Sequence, residues 1–241
     1  MTEVSGDALI SCEWRDLLMA TWAVDPALLE PYVPARTTLD LWNGQALLSI
    51  VGVRFLNLQL AGISVPFHQQ FEQINFRFYV SRHIADTERK GVVFLKQIVP
   101  SASMSLVATM LYNESFLTTP TRHEIRAGEQ GWDVYEWMVG GRWNRVSAVR
   151  NGATVMPSDA SLESFIKDRP WSYTRQADGS TVEFETRHPS WAIYQTEEMM
   201  LDCDVAPLIG ARFIPVLSAD PISAFVAVGS PVTLYPGRVI S

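Results

Sequence analysis

The sequence contains few cysteines and few lysines, and each scarcity excludes a class of protein. Cys12 and Cys203 are the only cysteines in 241 residues, and their wide separation fits neither a disulfide scaffold nor a paired metal-binding or redox motif. The basic residues are almost all arginines, and they form no tract. Because the formal net charge is −7, the chain lacks the clustered cations that nucleic-acid binding requires.

Long uncharged runs and familiar cofactor motifs are also missing. No uncharged run reaches about 18 residues, so the sequence predicts no membrane-spanning helix. The acidic start has no basic segment before its apolar residues, which argues against a secretory signal and favours a cytoplasmic protein. The dinucleotide, P-loop, zinc-protease and serine-hydrolase motifs do not occur, and the four histidines are scattered. We therefore expect no cofactor and no metal.

What the sequence does contain is a series of strand-like segments separated by Gly, Pro, Asn or Asp. The clearest are Arg15–Trp22, Gln45–Leu58, Phe71–Val80, Gly91–Val99, Trp132–Val139, Thr181–His188, Trp191–Glu197 and Ile222–Val228, with His123–Arg126 as a further candidate. Short helices are predicted after Asp25, from Ser101 or Ser103, and from Ser158. This pattern predicts an α+β fold, residues 1–241 forming one domain around a closed or nearly closed sheet.

Lys96 is the most informative single residue. It lies in the middle of an apolar strand, on the face that simple alternation also gives to Val92, Phe94 and Ile98. Because burial disfavours the charged form of lysine, a lysine in a cavity could act as a nucleophile or base. Pairing with a carboxylate, or extension of the amine to solvent at the strand end, is the alternative interpretation.

The strand Phe71–Val80 carries polar groups on both faces. Glu72 leads an apolar face and is a candidate general base, with structural pairing as the alternative. Asn75 and Arg77 share the opposite face, where Arg77 could hold a carboxylate through its two-pronged guanidinium. A cross-strand ion pair or a solvated sheet face would explain the same two residues.

Three further polar residues are candidates for a ligand site. Arg15 lies at the start of the first strand, where a surface ion pair with an acidic neighbour is the alternative. Asn113 and Glu114 directly follow the predicted helix SASMSLVATMLY, where a helix cap and a solvated carboxylate are the alternatives.

Five runs, in this order, resemble a known family. They are WRDLLMATWAVDPALLEPYVP, FEQINFRFYV, KGVVFLKQIVPSASMSLVATMLYNESF, SLESFIKDRPWSYTRQ and VEFETRHPSW. Together they resemble the YqjF-like bacterial family, a domain of unknown function that is similar in fold to acetoacetate decarboxylase. The resemblance implies a mostly antiparallel, cone-shaped β-barrel with a few short helices and an enclosed pocket.

The resemblance also implies where a decarboxylase site would lie. It places Arg15 at a pocket arginine and Glu72 at a pocket glutamate. At the position of the decarboxylase's lysine pair, this chain has LYNESFLT, which contains Asn113 and Glu114 but no lysine. Without that amine, no iminium can form there, so ordinary acetoacetate decarboxylation is not expected.

Two functions from different classes remain open. In one, the protein binds a small organic ligand, a carboxylate or carbonyl compound, through Arg15, Asn75, Arg77 and Asn113. In the other, it is a lyase- or hydrolase-type enzyme that uses Lys96 with Glu72 or Glu114 and an arginine clamp. A small-molecule ligand, no nucleic-acid or membrane partner, and a possible homo-oligomer are expected in either case.

Overall fold

The fold is built mainly of strands, with a few short helices. The computed structural model describes residues 8–64, 70–100 and 116–240. Its strands are β1 Ile10–Val24, β2 Thr38–Leu39, β3 Ala46–Leu60, β4 Ile63–Ser64, β5 Phe71–Ile84, β6 Thr87–Val99, β7 Phe116–Thr118, β8 Thr121–Arg126, β9 Trp132–Val139, β10 Arg142–Val155, β11 Trp171–Arg175, β12 Thr181–Arg187, β13 Ile193–Asp202, β14 Ser223–Leu234 and β15 Arg238–Ile240. The helices are α1 Pro26–Leu29, α2 Leu162–Lys167, α3 Ala206–Ile209 and α4 Ile214–Leu217, with 3₁₀ turns at Glu30–Tyr32 and Ala211–Phe213.

Strand pairing closes a circuit within this sheet. The order β12, β11, β6, β5, β3, β1, β14 returns to its start because β12 also pairs with β14. Most pairs are antiparallel, but β6 runs parallel to both β11 and β7. The prediction of a mostly stranded fold with few helices is confirmed, and the sheet is mixed rather than purely antiparallel.

Both faces of the central strands are buried. One face of β1, β3 and β5 is directed to the inside of the circuit, where Met19, Val51 and Tyr79 pack together. The opposite face packs against β9, β10 and the helices α3 and α4. The two layers together form an outer apolar cluster, whose large side chains include Trp22, Phe76, Trp137 and Phe213. Strands covered on both faces read as nearly continuous apolar runs, as β3 does.

Some predicted elements begin or end at other residues in the structure, and some observed strands were not predicted. Helix α2 starts after Ser161 rather than Ser158, because the Ser161 hydroxyl accepts a hydrogen bond from the Ser164 N–H at 3.2 Å. The unpredicted strand β10 contains several polar residues, and it is joined to β9 through Gly140 and Gly141, both with positive φ. Strand β11 was also missed. The predicted helix SASMSLVATMLY falls outside the described residues.

Within residues 8–64, 70–100 and 116–240, we find no helix with the length and apolar character needed to span a membrane. The same residues contain no group of three or more His, Cys, Asp or Glu side chains arranged to hold a metal ion.

Candidate functional site

The inside of the strand circuit contains a cavity of about 160 Å³. It is lined by inward-facing side chains of β1, β3, β5, β6, β11 and β12, together with residues that follow α2 and β12. Much of the wall is aromatic, with contributions from Trp14, Phe55, Phe71, Phe94, Phe116, Trp171, Phe184, Trp191 and Tyr235. A partly open, mostly apolar cavity with a few polar groups is typical of a small-molecule site.

Strand β5 supplies a polar stripe to this wall. Gln73, Asn75 and Arg77 all line the cavity, because alternate residues of a strand share one face. The Gln73 amide donates a hydrogen bond to Gln97 Oε1 at 2.6 Å, which satisfies that pair. Asn75 is 5% exposed, and its Oδ1 has no hydrogen-bond partner among the described residues. The stripe therefore includes a buried amide that is available to a ligand.

Arg77 is the buried cation of the stripe. Its side chain donates to the Ile166 carbonyl oxygen at 3.0 Å and contacts the Met19 sulfur at 3.6 Å, while its Nε has no partner among the residues that the structure describes. None of the described carboxylates forms an ion pair with it. A buried charge is normally paired, because removing it from water is costly. Arg77 thus leaves the cavity wall with an uncompensated positive charge.

Two further cations line the cavity but already have carboxylate partners. Lys167 Nζ donates to both carboxylate oxygens of Asp168, at 2.8 and 3.0 Å, and to the Ser190 hydroxyl. Arg169 pairs with Asp40 and lies over the Phe165 ring at 3.8 Å. Burial lowers the pKa of Arg169, Asp40 opposes the shift, and the charge of Arg77 adds to it. Arg77 differs from both in having no ion pair with a carboxylate of the described residues.

His188 lines the same cavity just beyond the end of β12. Its ring stacks on Trp191, with centroids 3.9 Å apart and planes 13° apart, and its Nδ1 lies 2.8 Å from the Pro189 carbonyl oxygen. Burial lowers the pKa of His188 below its usual value. The charges of Lys167 and Arg77 add to that shift, while the Pro189 carbonyl and Asp168 oppose it.

Lys96 does not line this cavity, and the predicted face of its strand needs correction. Arg77 pairs with Phe94 but Phe76 pairs with Lys96, so Leu95 is an extra residue that forms a β-bulge. The bulge shifts the alternation by one residue, and β6 lines the cavity with Val92, Phe94, Gln97 and Val99. Lys96 shares the face of Phe76, which belongs to the outer apolar cluster, and partial burial lowers its pKa.

Glu72 also lies on the outer face of the circuit. Its carboxylate accepts hydrogen bonds from Thr121 and from His123 Nδ1, the latter at 2.8 Å, both on β8. Burial alone would raise the pKa of Glu72, but these two hydrogen bonds hold it below its ordinary value. The structure therefore separates Glu72 and Lys96 from the cavity that contains Asn75 and Arg77.

The remaining sequence-predicted site residues do not join the cavity wall either. Arg15 forms an ion pair with Glu13 at 2.6 Å and contacts the Gly229 carbonyl oxygen at 3.4 Å. It is not among the residues that line the cavity. Asn113 and Glu114 fall outside the described residues.

The outer face carries a larger ion network near Glu72. Asp16 accepts from Arg54 at 2.9 Å and from Arg150 at 2.8 Å, and Arg150 also forms a two-pronged pair with Asp133, at 2.6 and 2.7 Å. The buried Tyr135 hydroxyl donates to the Asp16 carbonyl oxygen at 2.5 Å. Every charge in this network has an opposite charge beside it, so it fastens β9 and β10 to the circuit.

Sequence reasoning missed the cavity residues Lys167, Arg169 and His188. Lys167 is the last residue of α2, and Arg169 and His188 lie in the segments that follow α2 and β12, where local periodicity does not assign a face. A signal was nevertheless present, because the runs SLESFIKDRPWSYTRQ and VEFETRHPSW, which carry the family resemblance, contain all three of these residues.

Comparison of the fold with solved structures finds acetoacetate-decarboxylase-like proteins. Acetoacetate decarboxylase from Legionella pneumophila matches with a TM-score of 0.70 at 9% identity, over 100% of this chain and 92% of that one. The enduracididine biosynthesis enzyme MppR, complexed with pyruvate, matches with a TM-score of 0.65 at 13% identity, over 100% of this chain and 93% of that one. At these identities, the likeness shows the fold alone.

Sequence comparison gives a nearer relationship. The uncharacterized protein YqjF of Bacillus subtilis (strain 168) is 38% identical over 217 residues, which cover 87% of this chain and 84% of that protein. The family model of DUF2071, described as an uncharacterized conserved protein, matches residues 11–231. The resemblance found in the sequence is thereby confirmed, and the chain belongs to the DUF2071 family.

Proposed function

We propose that the cavity binds a small organic acid, with the carboxylate held by Arg77 and the carbon skeleton against the aromatic wall. The observation that carries this proposal is the lack of any described carboxylate partner for the buried guanidinium of Arg77. A ligand carboxylate would supply the missing charge. It would also accept from Nε, which has no partner in the structure.

Asn75 supports the same arrangement. It lies two residues before Arg77 on the same strand face, so both side chains reach one part of the cavity. An amide side chain can present either its oxygen or its NH₂ group by rotation. The Asn75 amide can therefore donate a second hydrogen bond to the bound acid.

The wall sets the size and polarity of the ligand. A volume of about 160 Å³ lies below the roughly 300–1,000 Å³ that is common for drug-sized ligands, so a small acid fits best. The aromatic side chains favour an apolar skeleton, since burying such a skeleton removes apolar surface from water. MppR, which has this fold, was crystallised with pyruvate, and that ligand is also a small carboxylate.

Acetoacetate decarboxylation is not the activity we propose. The chain has Asn113 and Glu114 at the position that the resemblance gives to the lysine pair. The amine at the cavity wall belongs instead to Lys167, and it is held by the carboxylate of Asp168. A lyase or hydrolase based on Lys96 and Glu72 is not favoured either, because neither residue lines the cavity.

Titration calorimetry with a matched acid and amide tests the proposal. We expect the protein to bind 4-methylpentanoate but not 4-methylpentanamide, which has the same shape without the charge. Arg77→Met should weaken binding of the acid by about 10- to 100-fold, since a hydrogen bond to a charged group contributes about 1.5–3 kcal/mol.

Arg142→Met is the matched control. Arg142 is an exposed arginine of β10 that pairs with Asp202, and it lies outside the cavity lining. This variant should bind the acid as the unmodified protein does. Equal affinity for acid and amide, or undiminished binding by the Arg77→Met variant, would overturn the proposed function.

A further inference from the structure

The hydrogen bond of His188 to the backbone fixes its tautomer. A carbonyl oxygen can only accept, so the 2.8 Å contact between His188 Nδ1 and the Pro189 oxygen requires the proton to be on Nδ1. A neutral imidazole carries one N–H. The other nitrogen, Nε2, is then a hydrogen-bond acceptor whenever His188 is uncharged.

The surroundings keep this histidine uncharged and hold its ring in place. Stacking on Trp191 at 3.9 Å and the bond to Pro189 orient the ring. Burial is the main cause that disfavours the charged form and lowers the pKa of His188. The cations Lys167, at the end of α2, and Arg77, from β5, act in the same direction, while the Pro189 carbonyl and Asp168 oppose them without reversing the shift. Near neutral pH, His188 therefore presents a fixed acceptor.

The polar side chains of the cavity wall therefore require two different kinds of hydrogen-bonding group on the ligand. Arg77 can only donate, whereas neutral His188 can only accept through Nε2. The amides and hydroxyls of the wall can do either, and the buried Trp14 indole N–H, which has no partner among the described residues, adds a further donor, so the acceptor of this set is His188 Nε2. A ligand that satisfies both discriminating groups carries a carboxylate together with a hydrogen-bond donor.

We propose that His188 accepts a hydrogen bond from a hydroxyl group of the ligand, so that the pocket selects hydroxy acids over oxo acids. This inference rests on the proposed function, because it requires the carboxylate to be bound by Arg77. A hydroxyl donates to Nε2, whereas the carbonyl oxygen of an oxo acid is itself an acceptor and forms no hydrogen bond with Nε2. Leaving such a buried polar group unpaired is the usual basis of strong discrimination.

The test compares acids that share one carbon skeleton. Binding of 4-methylpentanoate, its 2-hydroxy and 3-hydroxy derivatives in both enantiomers, and its 2-oxo derivative is measured by calorimetry at pH 8. We expect at least one hydroxy acid to bind about three- to tenfold more tightly than the parent acid, which is the gain of one net hydrogen bond. The oxo acid should bind no more tightly than the parent.

His188→Phe removes the acceptor but retains an aromatic ring for stacking on Trp191. This variant should bind the hydroxy acid and the parent acid with equal affinity, and the ratio of the two affinities is the quantity that tests the role of His188. His123→Phe is the matched control, because His123 pairs with Glu72 on the outer face, and this variant should keep the preference.

Acidification provides a second readout in the unmodified protein. The pKa of His188 lies below its ordinary value of 6.5. Lowering the pH through that pKa converts Nε2 from an acceptor to a donor, so the preference for the hydroxy acid should decline and that for the oxo acid should increase. This measurement does not depend on the folding of any variant.

The outcomes separate the two proposals. If no acid binds, the proposed function is wrong and this inference fails with it. If the parent acid binds through Arg77 but no hydroxy acid binds more tightly, only the inference about His188 is overturned. A hydroxyl preference that survives in His188→Phe, or that is unchanged by acidification, also overturns it.

Discussion

The two faces of strand β5 treat polar groups in opposite ways. On the outer face, the carboxylate of Glu72 has Thr121 and His123 as hydrogen-bond partners. On the inner face, Asn75 and Arg77 each keep a buried polar atom without a partner. Residues only a few positions apart on one strand thus differ in whether the protein itself satisfies them.

This difference extends beyond one strand. Around Glu72, the outer-face acids Asp16 and Asp133 are matched by Arg54 and Arg150. Satisfied charges of this kind fasten layers of the fold to one another, whereas an unsatisfied charge at a cavity indicates a site completed by a ligand. The comparison separates structural polar groups from candidate binding groups, although both are buried.

The strongest test of this difference between the faces replaces one arginine on each face. Arg150→Met should lower the free energy of unfolding by about 3–5 kcal/mol, because it leaves the buried carboxylate of Asp133 without its two-pronged partner and the partly exposed carboxylate of Asp16 with less compensation. Arg77→Met should change it by no more than about 1 kcal/mol without ligand, because none of the described carboxylates loses a partner. Urea denaturation of both variants measures the two effects.

Equal losses in the two variants would show that Arg77 is as structural as Arg150, and the distinction between the faces would then fail. A Lys variant at position 150 provides the control for charge alone, since lysine keeps the positive charge but cannot form the two-pronged contact with Asp133. We expect it to be intermediate in stability.

A smaller loss of stability is expected when a side chain is added at Gly52, on the outer face. A Cβ at this position would lie 2.3 Å from a ring carbon of Tyr135. That ring is fully buried and its hydroxyl is bonded to Asp16, so it has little freedom to move. Gly52→Ala should cost about 1–3 kcal/mol in unfolding free energy by overpacking.

Affinity for the acid should stay within about twofold in Gly52→Ala, since Gly52 does not line the cavity. In a double-mutant cycle with Tyr135→Ala, Gly52→Ala should cost much less stability when Tyr135 is already alanine. The difference is the coupling energy between the two positions. Independent, additive losses would contradict the proposed overlap.

The smallest effect is expected at Lys96. Lys96→Met should leave acid binding within about twofold, because the bulge turns this side chain away from the cavity. Calorimetry and urea denaturation again provide the measurements. A tenfold loss of affinity in Lys96→Met, with stability retained, would return this lysine to the binding site.

Much of the strand pattern was readable from the sequence, because period-two alternation is a local property. That alternation correctly groups Gln73 with Asn75 and Arg77 and separates them from Glu72. It fails on β6, because a single extra residue, Leu95, reverses the faces beyond it. No feature of the apolar run around Lys96 marks the position of such a residue.

The rest of the site depends on contacts between distant segments. Lys167 and His188 reach the cavity from positions next to α2 and β12, and their places are set by how these elements pack onto the circuit. The lack of an ion pair between Arg77 and any described carboxylate likewise depends on the three-dimensional arrangement. The sequence indicates which residues are unusual, but tertiary packing decides which of them face the ligand.

The extra residue in β6 has a consequence for comparing distant relatives. Removing Leu95 would restore regular alternation without changing which of Phe94 and Gln97 face inward, so a chain can gain or lose one residue here and keep the same wall. A gap of one residue at positions 95–96 is therefore the physically sensible choice when such sequences are aligned. Placing that gap farther along the strand would align the outward-facing Lys96 with an inward-facing residue of the relative. Such an alignment would wrongly place the Lys96 amine in the cavity.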